Sequence, residues 1–264
     1  TGEHKRFMPE ETNPFSLSNQ FIYPILKDKE GGIWVGTYYG GVNYVSPRNG
    51  QFEGFVHTKY ANSVGGNIIS CFAEDKDGNI WIGSDDGGIS CYSPQTGKFK
   101  NYMPEEGKNS LSYHNIHALC FDGDDLWIGT YSGGLNVLDT ETGKYRLYVS
   151  SEDIHSIDHN SIYAIFKDRE DNIWVTTMTG VNLYNRNEDN FSRIKEFGYV
   201  TMDIVQDTKG DLWFATQGKG VFKLTPNSRS WKNYRHSEDQ GALVGNMVNC
   251  LHIDSYGVLW VGTT

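Results

Sequence analysis

The 264-residue sequence is poor in proline and cysteine, with seven and four of them, and it has no long apolar run. No stretch approaches the roughly 20 apolar residues that a membrane-spanning helix needs, so these residues are not expected to cross a bilayer. Lys and Arg number 23 against 33 Asp and Glu, which gives a net charge of −10. Without a basic stripe, this balance argues against nucleic acid as a partner. The chain also lacks an initiator methionine and a signal-like start, so we expect any targeting segment outside these residues.

The motifs of common catalytic and cofactor sites are missing as well. There is no Gly-x-Ser-x-Gly elbow, no P-loop and no dinucleotide fingerprint. The cysteines (Cys71, Cys91, Cys120 and Cys250) have no CxxC spacing, which argues against a zinc site or a thioredoxin-like pair. We expect buried free thiols, although an oxidising compartment would permit disulfides. We therefore predict no catalytic residue, no metal and no cofactor for this chain.

Six of the seven tryptophans stand in one repeated motif. The copies are GGIWVGT (31–37), GNIWIGS (78–84), DDLWIGT (124–130), DNIWVTT (171–177), GDLWFAT (210–216) and GVLWVGT (257–263). The tryptophans are 39 to 47 residues apart. A period of this length is typical of solenoids, propellers and arrays.

Each repeat predicts four short strands, the first of which is apolar and ends in Asp. Counting back from that Asp, the third residue is always large and the residue before it is usually small. The large residues are Ile25, Phe72, Leu119, Ile165, Ile204 and Leu251, and the small ones are Pro24, Cys71, Ala118, Ala164 and Cys250, with Asp203 as the exception. Because side chains alternate between the faces of a strand, we expect one position to fill the space between sheets and the other to lie where sheets crowd together. The Asp is expected to cap the tight turn that follows.

This pattern predicts an all-β fold, a β-propeller of four-stranded antiparallel blades with about six repeats. The repeats lie at about 20–58, 67–103, 115–149, 160–197, 199–235 and 246–264, the last of them incomplete. Residues 1–8 are predicted to form the outer strand of a preceding or closing blade. We expect residues 1–264 to be a fragment of a larger array, seven-bladed or double. A β-sandwich is the weaker alternative, since it has no reason to repeat one tryptophan at a fixed spacing.

The unit D-x-x-G-[NDG]-[IL]-W-[IV]-G-T-x-x-G-[GV]-[VIL], followed by TGK-[FY], resembles the two-component regulator propeller repeat, with drift at Thr176, Phe214 and Ala215. The resemblance implies the periplasmic sensor region of a hybrid two-component histidine kinase, with the membrane helix and the kinase outside this chain. It further implies a homodimeric receptor that detects oligosaccharides and controls genes for polysaccharide use.

In a propeller, the loops from strand four to strand one share a face with the loops between strands two and three. The candidate ligand-binding residues there are Tyr38, Tyr39, Tyr60, Asp85, Asp86, Tyr113, Tyr131, Met178, Gln217 and Lys219. The longer loops also carry His57, Lys59, His114, Asp153, His155, Asp158, His159 and His236. Aromatic rings stack on sugars, while Asp, Gln and Lys bind their hydroxyls.

Two motifs on the loops and turns invite a metal interpretation that we do not favour. His155 and His159 are four residues apart, but their segment predicts a polar surface loop. The DKDGN turn (75–79) resembles a calcium loop only superficially and predicts a tight hairpin.

Two alternative functions remain open. A propeller enzyme, such as a glycan or lactone lyase or hydrolase, would need His57, His114, His155 or His236 close to Asp85 or Asp86. A protein-binding scaffold would present an apolar surface patch and no small-molecule pocket.

Overall fold

The structure is a computed structural model that describes residues 5–60, 62–226 and 230–264, in which 22 β-strands are defined. The first sheet contains β1 (Ile22–Lys27), β2 (Ile33–Thr37), β3 (Val42–Val45) and β4 (Phe52–Phe55). The second contains β5 (Ile69–Glu74), β6 (Ile80–Ser84), β7 (Gly88–Ser93) and β8 (Lys98–Tyr102). The third contains β9 (Ile116–Asp122), β10 (Asp125–Thr130), β11 (Leu135–Asp139) and β12 (Tyr145–Tyr148). The fourth contains β13 (Ile162–Lys167), β14 (Ile173–Thr177), β15 (Val181–Asn185) and β16 (Asn190–Arg193). The fifth contains β17 (Thr201–Gln206), β18 (Leu212–Thr216), β19 (Gly220–Thr225) and β20 (Ser230–Tyr234). The last contains β21 (Val248–Ile253) and β22 (Leu259–Thr263).

Each sheet follows chain order, with neighbouring strands antiparallel, which confirms the prediction of four-stranded propeller blades. The chain divides into two compact units, residues 1–126 with 138–145, and residues 127–137 with 146–264. In the first unit, β1, β5 and β9 are neighbours, and in the second β13, β17 and β21 are neighbours. The first strands of successive sheets therefore lie side by side, as in the centre of a propeller.

The turn between strands one and two is held by its Asp, as predicted. In the second sheet, Asp75 Oδ1 accepts hydrogen bonds from the backbone N–H of Asp77 (3.0 Å) and Asn79 (2.8 Å). Its Oδ2 accepts the indole N–H of Trp81 at 3.0 Å. The same indole–carboxylate bond, at 2.8–2.9 Å, joins Trp34 to Asp28, Trp174 to Asp168, Trp213 to Asp207 and Trp260 to Asp254. The repeated Asp and Trp are therefore one structural device, which explains why both recur.

The third repeat departs from this pattern. Its turn is one residue shorter, so Trp127 follows Asp122 by five positions instead of six. The Trp127 indole nitrogen is buried and has no hydrogen-bond partner within the described part of the chain. The shorter turn thus leaves the indole N–H of Trp127 without an acceptor among the described residues.

As predicted, the large residue of the first strand packs between sheets, on the side of the preceding sheet. The small residue lies where the next sheet comes close. Ile204 joins a core cluster with Trp174 of the preceding sheet, and it is 3% exposed. Ile25 belongs to the first sheet, has no preceding sheet in its unit and is 65% exposed. The small position coincides with a register shift in the hairpin, as between Ile69 and Cys71. Cys71 lies opposite Gly83, and a Cβ on that glycine would lie 2.9 Å from Ile116 of the next sheet. The small residues therefore allow close approach at these bulges.

The structure differs from two predictions, on the cysteines and on residues 1–8. All four cysteines are free; Cys71, Cys91 and Cys120 are half-buried, and Cys250 is exposed because no described sheet follows β21 and β22 to cover it, so the expectation of a buried thiol is wrong for Cys250. Of the outer strand predicted for residues 1–8, residues 1–4 lie outside the described residues. Residues 5–8 are in no strand, although the Phe7 ring contacts the Phe52 ring edge-on, with centroids 5.4 Å apart.

Among the described residues, no helix has the length and apolar character needed to span a membrane.

Asp203, the exception among the small residues, links two neighbouring sheets. Its Oδ2 accepts the backbone N–H of Leu251 on β21 at 2.8 Å, and its Oδ1 accepts that of Ile204 at 2.8 Å. Burial raises the pKa of its carboxyl to about 6, despite these two hydrogen bonds. The folded state therefore binds this proton more tightly than the unfolded state does.

We expect Asp203→Asn to flatten the pH dependence of stability. Since the folded pKa lies above the unfolded value of about 3.9, the free energy of unfolding falls as pH rises from about 4 to about 6 and is then constant. The amide keeps an acceptor for Leu251 but carries no proton to lose. As pH rises through this range, the free energy of unfolding of the variant should therefore rise relative to that of the wild type, by about 1–3 kcal/mol in total. Urea unfolding at pH 4.5, 5.5, 6.5 and 7.5 measures this difference, and parallel profiles for the two proteins would contradict it.

Candidate functional site

One position on the predicted loop face is fixed in the same way in several sheets. The residue that follows strand two donates its backbone N–H to the carbonyl of the residue that precedes strand one. These pairs are Tyr38 with Phe21 (3.0 Å), Asp85 with Ile68 (2.9 Å), Met178 with Ser161 (3.1 Å) and Gln217 with Val200 (3.0 Å). The backbone is thus repeated while the side chain at this position changes from sheet to sheet.

Two candidate histidines stabilise their own loops. The backbone N–H of His57 donates to Asn67 Oδ1 at 2.8 Å, and the Nδ1 of His57 lies 2.9 Å from the Val64 carbonyl oxygen. His236 repeats both contacts, with Asn246 Oδ1 at 2.8 Å and the Leu243 carbonyl at 2.7 Å. A carbonyl partner requires a protonated Nδ1, so both rings act as donors that close the loop between strands four and one. Sequence analysis missed the asparagines, whose only signal is their recurrence just before strand one.

Several candidate acids are also engaged in loop structure. Asp86 accepts the backbone N–H of Asn67 at 3.2 Å and that of Ile68 at 3.1 Å. Asp158 Oδ1 accepts the Thr177 hydroxyl and the Asn182 side-chain amide, both at 2.7 Å. Both carboxylates thus accept hydrogen bonds from neighbouring parts of the loop face.

The loop with His155 and His159 is held by an arginine from β16. The Arg193 guanidinium donates to the carbonyls of Asp153 (3.0 Å) and Ser156 (3.1 Å). Asp153 Oδ1 accepts the His155 backbone N–H at 2.9 Å, and His159 Nδ1 accepts that of Ser161 at 2.9 Å. The structure thus supports the interpretation of this segment as a polar loop. No group of three or more His, Cys, Asp or Glu in the described ranges could hold a metal ion.

The remaining candidates range from half-buried to exposed. Tyr60 is 74% exposed beside Lys59, and Tyr131 and Met178 are 44% and 37% exposed. Tyr113 stacks obliquely on His114, with ring centroids 4.7 Å apart. In the second unit, Gln217 donates to Asn249 Oδ1 at 2.6 Å, and the Lys219 ammonium lies 5.3 Å from the centre of the Tyr199 ring. These contacts provide no assembled site.

In the first unit, three tyrosines form a continuous surface that we call the tyrosine shelf: Tyr23, Tyr38 and Tyr39. The Tyr23 and Tyr38 rings are stacked, with centroids 5.7 Å apart and an interplanar angle of 19°. Tyr39 meets Tyr38 edge-on at 4.4 Å and 66°. Tyr23 and Tyr39 are 63% and 64% exposed. Sequence analysis missed Tyr23 because it lies in a first strand, where alternation predicts packing and not ligand contact.

Asp85 directly follows β6 on the loop face of the same unit. Its Oδ1 is buried and has no hydrogen-bond partner among the described residues. Burial, and then the charge of Asp86, raise the pKa of the Asp85 carboxyl to about 6. The pKa of Tyr38 is raised by its hydrogen bond to Tyr39 and, in smaller part, by the charge of Asp85. Asp85 is therefore a half-buried acid on this loop face, in the same unit as the exposed rings of Tyr23 and Tyr39.

Three cavities lie elsewhere in the first unit. One of about 160 Å³ is lined by turn residues at the other end of the strands, including Asp75, Asp124 and Glu141, where Lys76 makes ion pairs to both Asp124 and Glu141. The others, of about 330 and 270 Å³, share Phe15, Gln51 and Phe52 at the edge of the first sheet. None of the three is lined by the shelf.

The two-component regulator propeller model matches five segments of the chain: residues 16–39, 63–86, 110–132, 156–179 and 242–264. Each segment includes the residues before strand one, the Asp turn and the tryptophan of strand two. The fifth sheet is not among the matched segments, in keeping with its Phe214 and Ala215. The sequence has no match among curated proteins.

Solved structures with similar folds come from several classes of protein. The extracellular domain of the hybrid two-component system BT3049 from B. thetaiotaomicron is 24% identical, with a TM-score of 0.61, over 94% of this chain and 39% of that one. PorZ, a surface component of the type-IX secretion system of Porphyromonas gingivalis, is 18% identical, with a TM-score of 0.69, over 92% and 37%. Virginiamycin B lyase from Staphylococcus aureus is 14% identical, with a TM-score of 0.68, over 94% and 86%. The chain spans less than two fifths of the first two proteins, and identities this low establish a common fold alone.

Proposed function

Since the chain belongs to the proteins built from two-component regulator propeller repeats, we propose that it is the ligand-sensing part of an extracytoplasmic receptor that binds oligosaccharides. The observation that carries the proposal is the contrast between the two parts of each repeat. The Asp–Trp turn recurs, while the residue fixed at the loop face changes from Tyr38 to Asp85, Met178 and Gln217. A rigid framework with varied side chains at one end is the arrangement expected of a binding surface.

Oligosaccharides are the ligand class that suits this surface. Sugar rings present apolar C–H faces that stack on aromatic side chains, and hydroxyls that need acceptors and donors. The exposed Tyr23 and Tyr39 of the first unit supply rings for stacking and hydroxyls that can both donate and accept. The loop histidines His57 and His236 each use Nδ1 to close their loops.

The receptor that we propose is a homodimeric hybrid two-component histidine kinase of the inner membrane, with this propeller in the periplasm. Its output would be the control of genes for polysaccharide use. A ligand can change the kinase only by binding one arrangement of the sensor more tightly than another. A difference of about 1.4 kcal/mol gives a tenfold bias between the two states.

A thermal-shift screen of the complete receptor ectodomain against defined oligosaccharides tests the proposal. At a hundred times its dissociation constant, a ligand adds about 2.7 kcal/mol to the free energy of unfolding, so we expect a clear rise in melting temperature. One selective oligosaccharide, recovered unchanged, would support a sensor. Recovery of a cleaved product would point to a propeller enzyme. No shift with any oligosaccharide, for a protein that melts cooperatively, would contradict the proposal and favour a protein-binding scaffold.

A further inference from the structure

We propose that the cavity of about 330 Å³ beside β4 is a binding site for one neutral sugar ring, held between the Phe15 ring and the carboxylate of Glu53. The choice of a sugar rests on the proposed function. The place is independent of it, because the cavity lies at the outer edge of the first sheet and not on the loop face. Its volume falls within the range of about 300–1,000 Å³ that is typical of pockets for small ligands.

The first argument is a departure from the repeat at Phe15. In the second sheet the preceding loop caps the outer strand, since Asn62 Oδ1 accepts the backbone N–H of Phe99 at 2.8 Å, and Asn109 does the same for β12 at 2.7 Å. In each loop this residue precedes a serine whose hydroxyl bonds back to the start of the loop. Before the first sheet the residue is Phe15, whose own carbonyl accepts the backbone N–H of Phe52 at 3.3 Å. The Phe15 ring is therefore not needed for the cap, yet it is 54% exposed and lines the cavity.

The second argument is a departure at Gly54, in the middle of β4. The residues at the same register position are Asn101 in the second sheet and Arg193 in the fourth. Asn101 donates to the Ser63 carbonyl at 3.1 Å, and Arg193 to that of Asp153 at 3.0 Å, so both join the outer strand to the preceding loop. Gly54 has no positive φ, and a Cβ placed on it would meet no atom beyond its chain neighbours within 4 Å. A glycine inside a strand that neither backbone nor packing requires indicates close approach of a ligand.

One wall of the cavity is fixed by a complete contact between two sheets. Tyr44 and Glu53 are cross-strand partners, and the Tyr44 ring packs on Trp34 with centroids 4.5 Å apart. Trp34 is 2% exposed and contacts Tyr92 of the second sheet, with ring centroids 5.6 Å apart. Tyr44 and Glu53 therefore belong to the face of the first sheet that the second sheet covers, and their positions are held by that packing.

The lining supplies what a neutral sugar ring needs. The Phe15 ring offers a face for the C–H groups of the sugar, and the carboxylate of Glu53 accepts hydrogen bonds from its hydroxyls. Uncharged side chains that can donate and accept complete the lining: Tyr44, Ser46, Asn49 and Gln51. Glu53 is the one charged residue among the described residues that line this cavity. A ring with a carboxylate or a sulfate would meet a like charge there, which excludes wrong partners by repulsion.

A sugar suits the cavity better than an extended peptide does. Strand addition needs a run of unpaired backbone groups along the edge of a sheet. Here β4 has only four residues, and the N–H of Phe52 is already bound to the Phe15 carbonyl. The edge therefore leaves too few groups for a ladder of hydrogen bonds, whereas a sugar uses the side chains.

Two variants, Phe15→Asn and Gly54→Asn, test the site by restoring the residue that the second repeat has at each position. Leu147→Asn on β12 is the matched control, since it places the same side chain on another outer strand, at a residue that is 52% exposed. The probes are neutral hexasaccharides of glucose, xylose and mannose, and a galacturonate hexasaccharide. Calorimetric titration gives affinities for the receptor ectodomain and its variants, and melting temperatures report their folding.

We expect a neutral hexasaccharide to bind, and each variant to weaken its binding by about tenfold or more. Phe15→Asn removes the stacking ring, and Gly54→Asn fills part of the cavity. Neither should melt lower than the wild type, because the first asparagine can cap β4 as Asn62 caps β8, and the second has space for its Cβ. The control should bind as the wild type does. Loss of affinity without loss of stability would then identify a ligand contact.

Three results would overturn the site, and they separate it from the proposed function. Unchanged affinity of both variants for a neutral hexasaccharide would place binding elsewhere on a genuine oligosaccharide sensor. Binding of the galacturonate probe alone would contradict the neutral ring while leaving a sensor of oligosaccharides. Failure of every probe with a cooperatively folded protein would contradict both the site and the proposed function.

Discussion

Asp168→Ala is expected to lower the free energy of unfolding by about 3 kcal/mol. Asp168 and Trp174 are only 5% and 6% exposed, and the carboxylate accepts the indole N–H at 2.8 Å. It also accepts the backbone N–H groups of Glu170 (3.0 Å) and Asn172 (2.8 Å). Alanine would leave the indole and part of the turn without an acceptor. A buried donor that loses its partner costs about 1–3 kcal/mol, and bonds to a charged group are worth more than neutral ones.

Urea unfolding followed by tryptophan fluorescence measures this loss, and Asp171→Asn in the same turn is its control. Asp171 makes an exposed ion pair with Lys167 at 2.8 Å, and asparagine tolerates its φ of +62°. Exposed ion pairs contribute little, so we expect a change within about 0.5 kcal/mol. If the two variants lose the same stability, the Asp–Trp bond is not what holds this turn.

The fold could be predicted from the sequence because its causes are local and repeated. The Asp and the Trp that bond to each other lie six residues apart, and a bond of this span recurs as a motif. The small residue at the bulge likewise faces a fixed partner, as Cys71 faces Gly83. Periodicity therefore reports the turn, the bulge and the blade together. The buried indole of Trp127 was not foreseen, since its cause is one residue missing from an otherwise normal turn.

The individual site residues were less predictable, because their roles depend on partners in other loops. Asp85 and Asp86 are adjacent in sequence and of the same type, yet Asp86 binds the segment before β5 and Asp85 Oδ1 binds no described group. Similarly, the Nδ1 of His57 is committed to a carbonyl seven residues away. Composition could identify the loop face, but only the contacts distinguish side chains that build it from side chains left free to bind.

This distinction gives the loop face its functional meaning. Most polar side chains on it hold the long loops in place, so the loops are parts of the framework and not mobile lids. The exposed tyrosines of the shelf are held by that framework at fixed positions. Preorganised contacts of this kind reduce the entropy lost on binding, which improves affinity without enlarging the interface.

The second large effect is expected where neighbouring sheets approach most closely. Gly83→Ala would place a Cβ within contact distance of Cys71 Sγ and 2.9 Å from Ile116 of the next sheet. Overpacking of this kind costs about 1–3 kcal/mol, more than the gain from replacing a flexible glycine. Cys71→Ala alone should cost about 1 kcal/mol, since it removes one buried sulfur atom.

The double variant separates overpacking from other effects of the alanine. With the sulfur removed, the new methyl group is crowded only by Ile116, so Cys71→Ala/Gly83→Ala should be more stable than Gly83→Ala alone, with a coupling energy of about 1–2 kcal/mol. The fourth sheet supports this expectation, because Ala164 there faces Thr176, a larger residue than glycine. Gly262→Ala is the control: its Cβ would meet Cys250 at 2.5 Å but lie within 4 Å of no described residue of another sheet. Additive losses for Cys71 and Gly83 would mean that the size of these side chains does not limit how closely the sheets approach, and that the recurring small residue has another cause.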